Sequence, residues 1–318
     1  MSLRHVLERH QVSIYLGAVV AAVATAAAVP VLDGLAAMIS PALAVMLFAT
    51  FLQVPLMDLR KALRQVRFMA ALLVANFIAI PALVSGLMPL LPPDPLLRLG
   101  VLIVLLAPCI DYVVTFAHLG RADARALLAA TPLLLGAQML LLPAYLGLFL
   151  GETGRTLIRI APFIHAFVWL IAVPLLLASL TQAWARRSAT GTRVGDYLGL
   201  LPVPATALVL FVVVGSVMPQ LDAARAHAMQ ALPVYVAFAA IAPFVGFAVG
   251  RLFRLPSAGS RAVAFSAATR NSLVVLPLGL AVPGAGPLLP AVIVAQTLVE
   301  LLSELVYMRL LPRLGEDP

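Results

Sequence analysis

Charge is what this chain has least of. Only 11% of its 318 residues are Asp, Glu, Lys or Arg, while 63% are hydrophobic. Soluble domains run at about 25% charged and about 45–50% apolar, so a water-covered globular protein is excluded. Cysteine occurs once, at Cys109, which rules out an intramolecular disulfide framework. Aromatic residues make up 7% and are scattered, leaving no stacking platform for bases. The chain has no P-loop, no histidine cluster at metal-ligand spacing and no nucleophile elbow. The net charge of +8 does not point to nucleic acid, because the basic residues lie in short loops between apolar runs.

What the chain does have is long apolar runs. Mean hydropathy is +1.08, and runs of about 20 apolar residues, enough to cross the hydrocarbon core, recur along its length. These features predict an all-α, polytopic membrane protein with the lipid bilayer as its solvent. Charged residues precede the first run, but no small-residue cleavage site follows, so that run is expected to be a membrane helix rather than a removed signal. Ten spans are expected near 12–30, 35–56, 67–90, 96–119, 126–151, 157–182, 198–219, 229–252, 260–283 and 287–311.

Alternate loops differ sharply in basic residues. Arg4, Arg9, Arg60, Lys61, Arg64, Arg67, Arg121, Arg125, Arg186, Arg187, Arg193, Arg251, Arg254, Arg261, Arg309 and Arg313 fall on one side. Arg98, Arg155, Arg159 and Arg225 fall on the other. The positive-inside rule then predicts a plasma (cytoplasmic) membrane protein with both termini in the cytoplasm. Arg270 belongs to neither side, since it stands inside the ninth span.

The two halves resemble each other. Pro41 to Phe48 recurs as Pro204 to Phe211, Val74-Ala75 with Pro81 recurs as Val236-Ala237 with Pro243, and Pro132, Ala137, Gln138 and Leu140 recur as Pro290, Ala295, Gln296 and Leu298. The steps are 163, 162 and 158 residues, and each match pairs spans five apart. An odd number of spans per copy inverts the second copy in the membrane. Residues 1–153 and 154–318 are therefore expected to form inverted repeats, with a binding site near the midplane where interrupted helices meet. Spans four and nine are counterparts, and both are interrupted: one by Pro108 to Asp111, the other by Ala268 to Ser272 followed by Pro277.

Several polar residues in these interruptions are candidates. A proline inside a helix removes a hydrogen bond and clashes one turn back, and a carboxylate at bilayer depth costs about 2.5–3.5 kcal/mol on insertion scales. The repeat sets Asp111 against Thr269, so Asp111 and Arg270 are expected to approach as an ion pair, either functional or structural. Cys109 offers a soft sulfur, able to meet a thiophilic metalloid or to pack as a small apolar residue. Thr269, Asn271, Ser272, Thr115, Gln138 and Gln296 supply neutral donors and acceptors, for a cavity lining or for helix-to-helix bonds. Glu300 is a candidate for proton or cation coupling, while Glu304 is expected in solvent near the cytoplasmic end. Asn76 and His165 read as packing residues.

The combination of Ala107-Pro108-Cys109 with His118-Leu119-Gly120-Arg121-Ala122-Asp123 is similar to the fourth helix of arsenite efflux permeases in the bile acid:sodium symporter superfamily. Leu298-Val299-Glu300 resembles their final helix, and Asn271 falls where they carry an asparagine. The resemblance implies a panel domain of spans 1, 2, 6 and 7, a core domain of spans 3–5 and 8–10 in which helices four and nine cross, substrate in the crevice between them, and Cys109 as the important helix-four cysteine. Leu273 stands where those permeases carry a glutamate. Relative to the sodium-coupled branch, Val113-Val114 replaces a Ser-Asn pair, and Ser266 and Arg270 replace a glutamate and a glutamine, although Asn271-Ser272 is retained.

The expected function is a secondary transporter working by alternating access. Arsenite or antimonite efflux, proton-coupled and independent of sodium, is the leading form, with Arg270 supplying a fixed charge where relatives bind sodium. An organic-anion transporter, with Arg270 meeting a carboxylate, and a membrane sensor without transport activity are the alternatives. No enzyme activity, cofactor or resident metal is expected, and the sequence leaves a homo-oligomer open.

Overall fold

The structure is a computed structural model describing residues 3–28, 34–53, 65–110, 112–157, 161, 164–165, 167–218, 221–282 and 284–315. Among these residues every regular element is helical. In chain order they are α1 (Leu3–Ala28), α2 (Leu35–Gln53) and α3 (Val66–Val74), which runs through a π-turn at Ala75–Ala79 into α4 (Ile80–Leu87). There follow α5 (Pro95–Leu105), α6 (Val113–Leu119), α7 (Ala124–Leu157), and a π-turn at Phe167–Ala172 leading into α8 (Val173–Ala185). The remainder are α9 (Ala189–Leu198), α10 (Pro202–Val217), α11 (Leu221–Leu252), α12 (Ser257–Ala268), α13 (Ser272–Leu280) and α14 (Leu288–Leu310).

Seven helical stretches are long and apolar enough to cross a bilayer alone, and α9–α10, bent by 41°, make an eighth if taken together. The spans near 96–119 and 260–283, expected to be interrupted, fold as pairs of shorter helices, α5–α6 and α12–α13, of 11 and 7 residues and of 12 and 9. None of the four approaches the roughly 20 residues of a crossing helix. Large apolar side chains stand exposed, Leu140 at 80% and Leu148 at 78% on α7 and Leu252 at 77% on α11. Faces of this kind belong in lipid, where internal helix hydrogen bonding already satisfies the backbone. The chain is an integral, all-α membrane protein.

The chain divides into two compact units, Met1–Pro55 with Ala161–Ala223 and Leu56–Ile160 with Ala224–Pro318. Within the first, α10 packs on α1 and α2, and α8 packs on α2 and α9. Gln182 Nε2 on α8 donates to the carbonyls of Phe51 and Leu52 at 3.1 and 3.2 Å, satisfying groups that the end of α2 leaves open. The stretch between the expected sixth and seventh spans folds as the amphipathic α9, whose N-cap Ser188 accepts from the Gly191 N–H at 3.3 Å.

Within the second unit α14 packs against α5, α6 and α13 and is buried along most of its length. Small residues let two further helices touch backbone to backbone. A Cβ added at Gly246 of α11 would lie 2.6 Å from the Ala267 Cβ and 2.8 Å from the Ala264 Cα, and one at Gly250 would lie 2.6 Å from the Ser260 Cα. Glycines four apart on one face are how apolar helices approach when lipid supplies no hydrophobic drive between them.

Candidate functional site: the crossing of two broken helices

All of the site lies in the second unit. The helix α5 begins cleanly, with the Asp94 side chain accepting from the N–H groups of Leu96 and Leu97 at 2.8 and 2.9 Å and Pro95 in the first turn. It stops at Leu105 because Pro108 disfavours helical geometry in the residue before it and cannot donate to the preceding turn. No proline stops α12. Thr269 turns extended, with φ −97° and ψ 130°, and tertiary bonds take the place of helical ones.

The two breaks meet as a single antiparallel bridge between Pro108 and Arg270. The Cys109 N–H donates to the Thr269 carbonyl at 3.0 Å, and the Asn271 N–H donates to the Ala107 carbonyl at 2.8 Å. The two bonds flank Pro108 and Arg270 on either side, as in any antiparallel pair. In such a pair the two central residues point their own N–H groups outward. Proline therefore costs the bridge nothing. On the other side the Arg270 N–H is left to donate to Glu300 Oε2 at 2.6 Å. The backbone groups freed by unwinding α12 thus have partners, as burial in a membrane protein demands.

Arg270 is wholly buried, and its guanidinium faces the ends of both half-helices. Nη2 donates to the carbonyls of Ser266 and Ala267 in the last turn of α12, to Ala267 at 2.6 Å, and to Asn76 Oδ1 at 2.8 Å. Nη1 reaches the carbonyl of Leu105, the last residue of α5, at 3.4 Å. The ring of Phe238 lies 5.6 Å from the guanidinium carbon, within cation–π range. One cation therefore serves two helix C-termini, where carbonyls and the macrodipole concentrate negative potential. The π-turn at Ala75–Ala79 carries Asn76, whose amide donates to the Leu72 carbonyl at 3.0 Å and to Ser266 Oγ at 2.9 Å, aiming its oxygen at Arg270.

Glu300 takes three donors. Tyr112 Oη–H donates to Oε1, while the Arg270 N–H and Gln296 Nε2 donate to Oε2, both at 2.6 Å. One turn on, Glu304 Oε1 is hydrogen-bonded to Thr269 Oγ1. Asn271 Nδ2 approaches Gln138 Oε1 at 3.4 Å, and Thr297 Oγ1 donates to Ser272 Oγ at 2.8 Å. Three buried amide atoms, Gln138 Nε2, Asn271 Oδ1 and Gln296 Oε1, have no partner among the described residues.

Of the candidates from sequence, Cys109, Thr269, Arg270, Asn271, Ser272, Gln138, Gln296 and Glu300 are all buried around this crossing. Thr115 is half-buried one turn into α6, its N–H on the Tyr112 carbonyl at 3.0 Å. Asp111 lies outside the described residues. Glu304 corrects an expectation: it is 0% exposed rather than solvated, because it faces Thr269 instead of the helix end. Asn76 is a partner of Arg270 rather than packing alone, and Tyr112 was not among the candidates. The signal for Asn76 was its depth, since a polar side chain inside the bilayer needs a partner. His165 is exposed beside Trp169, at 6.2 Å between ring centres.

Helices broken at bilayer depth, with half-helix ends and ionisable groups brought together, define the class of secondary transporters. The sequence agrees with the structure here: residues 40–224, more than half of the chain, match the model of the sodium bile acid symporter family. The chain belongs to that family, whose members are membrane transporters rather than enzymes. No curated protein matches the chain in sequence.

Proposed function

We propose that the chain is a sodium-independent secondary transporter that works by alternating access and exports arsenite or antimonite in exchange for protons. The observation that carries the sodium independence is the place of Arg270. Sodium needs several hard oxygen ligands. Here Asn76 Oδ1 and the carbonyls of Ser266 and Ala267 converge on Arg270 Nη2, and a covalently held cation fills their centre. The oxygen set does not fit a free ion while the guanidinium occupies it.

The cargo rests on two features. Cys109 places a buried thiol at the break itself, and trivalent arsenic and antimony bind sulfur. The amide atoms of Gln138, Asn271 and Gln296 that have no partner among the described residues offer both donors and acceptors, which suits an uncharged trihydroxide better than an anion. An organic anion is served less well, because the terminal nitrogens of the guanidinium that would meet its carboxylate are already engaged by carbonyls and Asn76, leaving only Nε without a partner among the described residues. Inverted repeats over 1–153 and 154–318 rest on the recurring motifs of the two halves and on the fact that both counterpart spans, four and nine, are broken. The sixteen-to-four basic asymmetry supports both termini in the cytoplasm.

Flux of arsenite and antimonite in proteoliposomes, against bile-acid and keto-acid controls and without sodium, tests the proposal. Metalloid flux driven by a pH gradient and lost in Cys109→Ser is the expected result. Sodium-dependent flux of an organic anion that survives Cys109→Ser would overturn it.

A further inference from the structure

We infer that Glu304 is the proton-binding group of the crossing, and that the Thr269 hydroxyl is the switch that reads its state. The inference deepens the proton coupling proposed above and rests on it for its place in the transport cycle.

The hydrogens available at Thr269 are too few for the bonds it makes. Thr269 Oγ1 lies within hydrogen-bond distance of two oxygens, the Phe265 carbonyl at 2.7 Å and Glu304 Oε1. A threonine hydroxyl has one proton to give, and a carbonyl has none. Both bonds are made in full when the second proton comes from the Glu304 carboxyl, which then donates to Thr269 Oγ1 while Thr269 donates to Phe265, whereas a carboxylate would leave one hydroxyl proton shared between two acceptors. Glu304 is 0% exposed, and its Oε2 has no partner among the described residues. A carboxylate in that position would leave a buried negative oxygen bare, whereas a carboxylic acid does not.

Glu300 is the opposite case. The two N–H groups on its Oε2 can only donate, and with Tyr112 they satisfy an ionised carboxylate without any proton of its own. Two carboxyls one turn apart therefore hold different states. Glu300 is the fixed anion that grips Arg270, and Glu304 is the exchangeable acid that grips Thr269.

The other titratable groups around them are Tyr307 on the same helix, Arg270 at the break, and Tyr112 and Cys109 at the facing break. Elsewhere on the packed elements Arg98 of α5, Tyr235 of α11 and Arg261 of α12 hydrogen-bond backbone carbonyls, those of Pro92, Val292 and Arg121 among them. His118 of α6 is exposed, and α13 has no titratable residue.

Release is a single proton transfer. The O–H bond of the Glu304 carboxyl breaks, and the proton passes to water on the side to which the site is open. The Thr269 hydroxyl then turns from Phe265 to the new carboxylate. The Phe265 carbonyl keeps the Thr269 N–H at 3.0 Å, so it is not left bare. Because the Thr269 carbonyl also accepts the Cys109 N–H, the residue that senses the proton is the one that holds the cysteine break.

Infrared difference spectra of the full-length protein across a pH titration test this without any cargo. The wild type should show a protonated-carboxyl C=O stretch near neutral pH that disappears on alkaline titration. The band should be absent in Glu304→Gln and retained in Glu300→Gln and Asp111→Asn. It should shift in Thr269→Val but not in Thr269→Ser, which keeps the test available if Glu304→Gln fails to fold. A wild type without the band, or a band that survives in Glu304→Gln or vanishes in Glu300→Gln, overturns the inference. The expected spectra without arsenite flux would refute the cargo and leave Glu304 standing, whereas pH-driven arsenite flux without the band would refute Glu304 alone.

Discussion

Replacing Arg270 by alanine should do two separable things. First, it strips a charged donor from four buried acceptors, Asn76 Oδ1 and the carbonyls of Ser266, Ala267 and Leu105. A buried acceptor left bare costs about 1–3 kcal/mol, which gives about 4–12 kcal/mol before any relief. Water entering the space would recover part of that, so about 3–5 kcal/mol is expected, the range found when a buried charge network is broken one-sidedly. At about 2 °C per kcal/mol for a chain of this size, the unfolding midpoint in detergent should fall by roughly 6–10 °C. Second, the vacated oxygens should accept a free monovalent cation. A ligand held only by the folded state adds RT ln(1 + [L]/Kd), about 2.7 kcal/mol at one hundred times Kd. Thermal unfolding with sodium titrated against choline as the osmotic control should therefore show sodium protecting Arg270→Ala and leaving the wild type unmoved. Arg270→Lys should fall between the two, since an ammonium keeps the charge but not the two-nitrogen reach to Asn76 and Leu105. Equal protection of wild type and variant by sodium would refute the claim that the guanidinium fills a cation position.

Other substitutions probe the rest of the crossing. Glu300→Gln cannot accept all three donors as a carboxylate does, and a buried charged hydrogen bond is worth about 1.5–3 kcal/mol. It should lower the unfolding midpoint by several degrees and abolish flux, whereas a fully active Glu300→Gln would remove Glu300 from the mechanism. Cys109→Ser should retain an unfolding midpoint close to wild type while metalloid flux falls to background, and unchanged flux would exclude the thiol as a cargo contact. Gly246→Ala puts a methyl 2.6 Å from the Ala267 Cβ, and overpacking of this kind costs about 1–3 kcal/mol. Calorimetry or fluorescence unfolding should register that loss, and a neutral Gly246→Ala would mean that α11 and α12 are not in tight contact.

Much of the crossing was legible because the bilayer penalises polarity. Pro108 beside Cys109 marked one break, and an arginine between Thr269 and Asn271 marked the other, since neither belongs in an uninterrupted apolar helix. The register between them was less accessible. Matching spans by sequence set Asp111 against Thr269, while the bridge pairs Pro108 with Arg270, a contact that backbone hydrogen bonds fix and sequence matches do not reveal. Asn76 read as isolated since nothing local says that a π-turn rotates it toward a residue far along the chain. Glu304 read as solvated because its distance from the helix end was counted in residues. Its real environment is set by what packs against α14, which periodicity alone does not reveal. The short α9 was missed for a different reason: its ten residues are too polar to register in a search for apolar runs.

If Arg270 serves as a built-in cation, transport runs without sodium. Arsenite flux into proteoliposomes is then measured under one pH gradient, with sodium present and with sodium replaced by choline. Equal initial rates in the two buffers are expected. Flux that appears only with sodium would show that Arg270 does not take the ion's place.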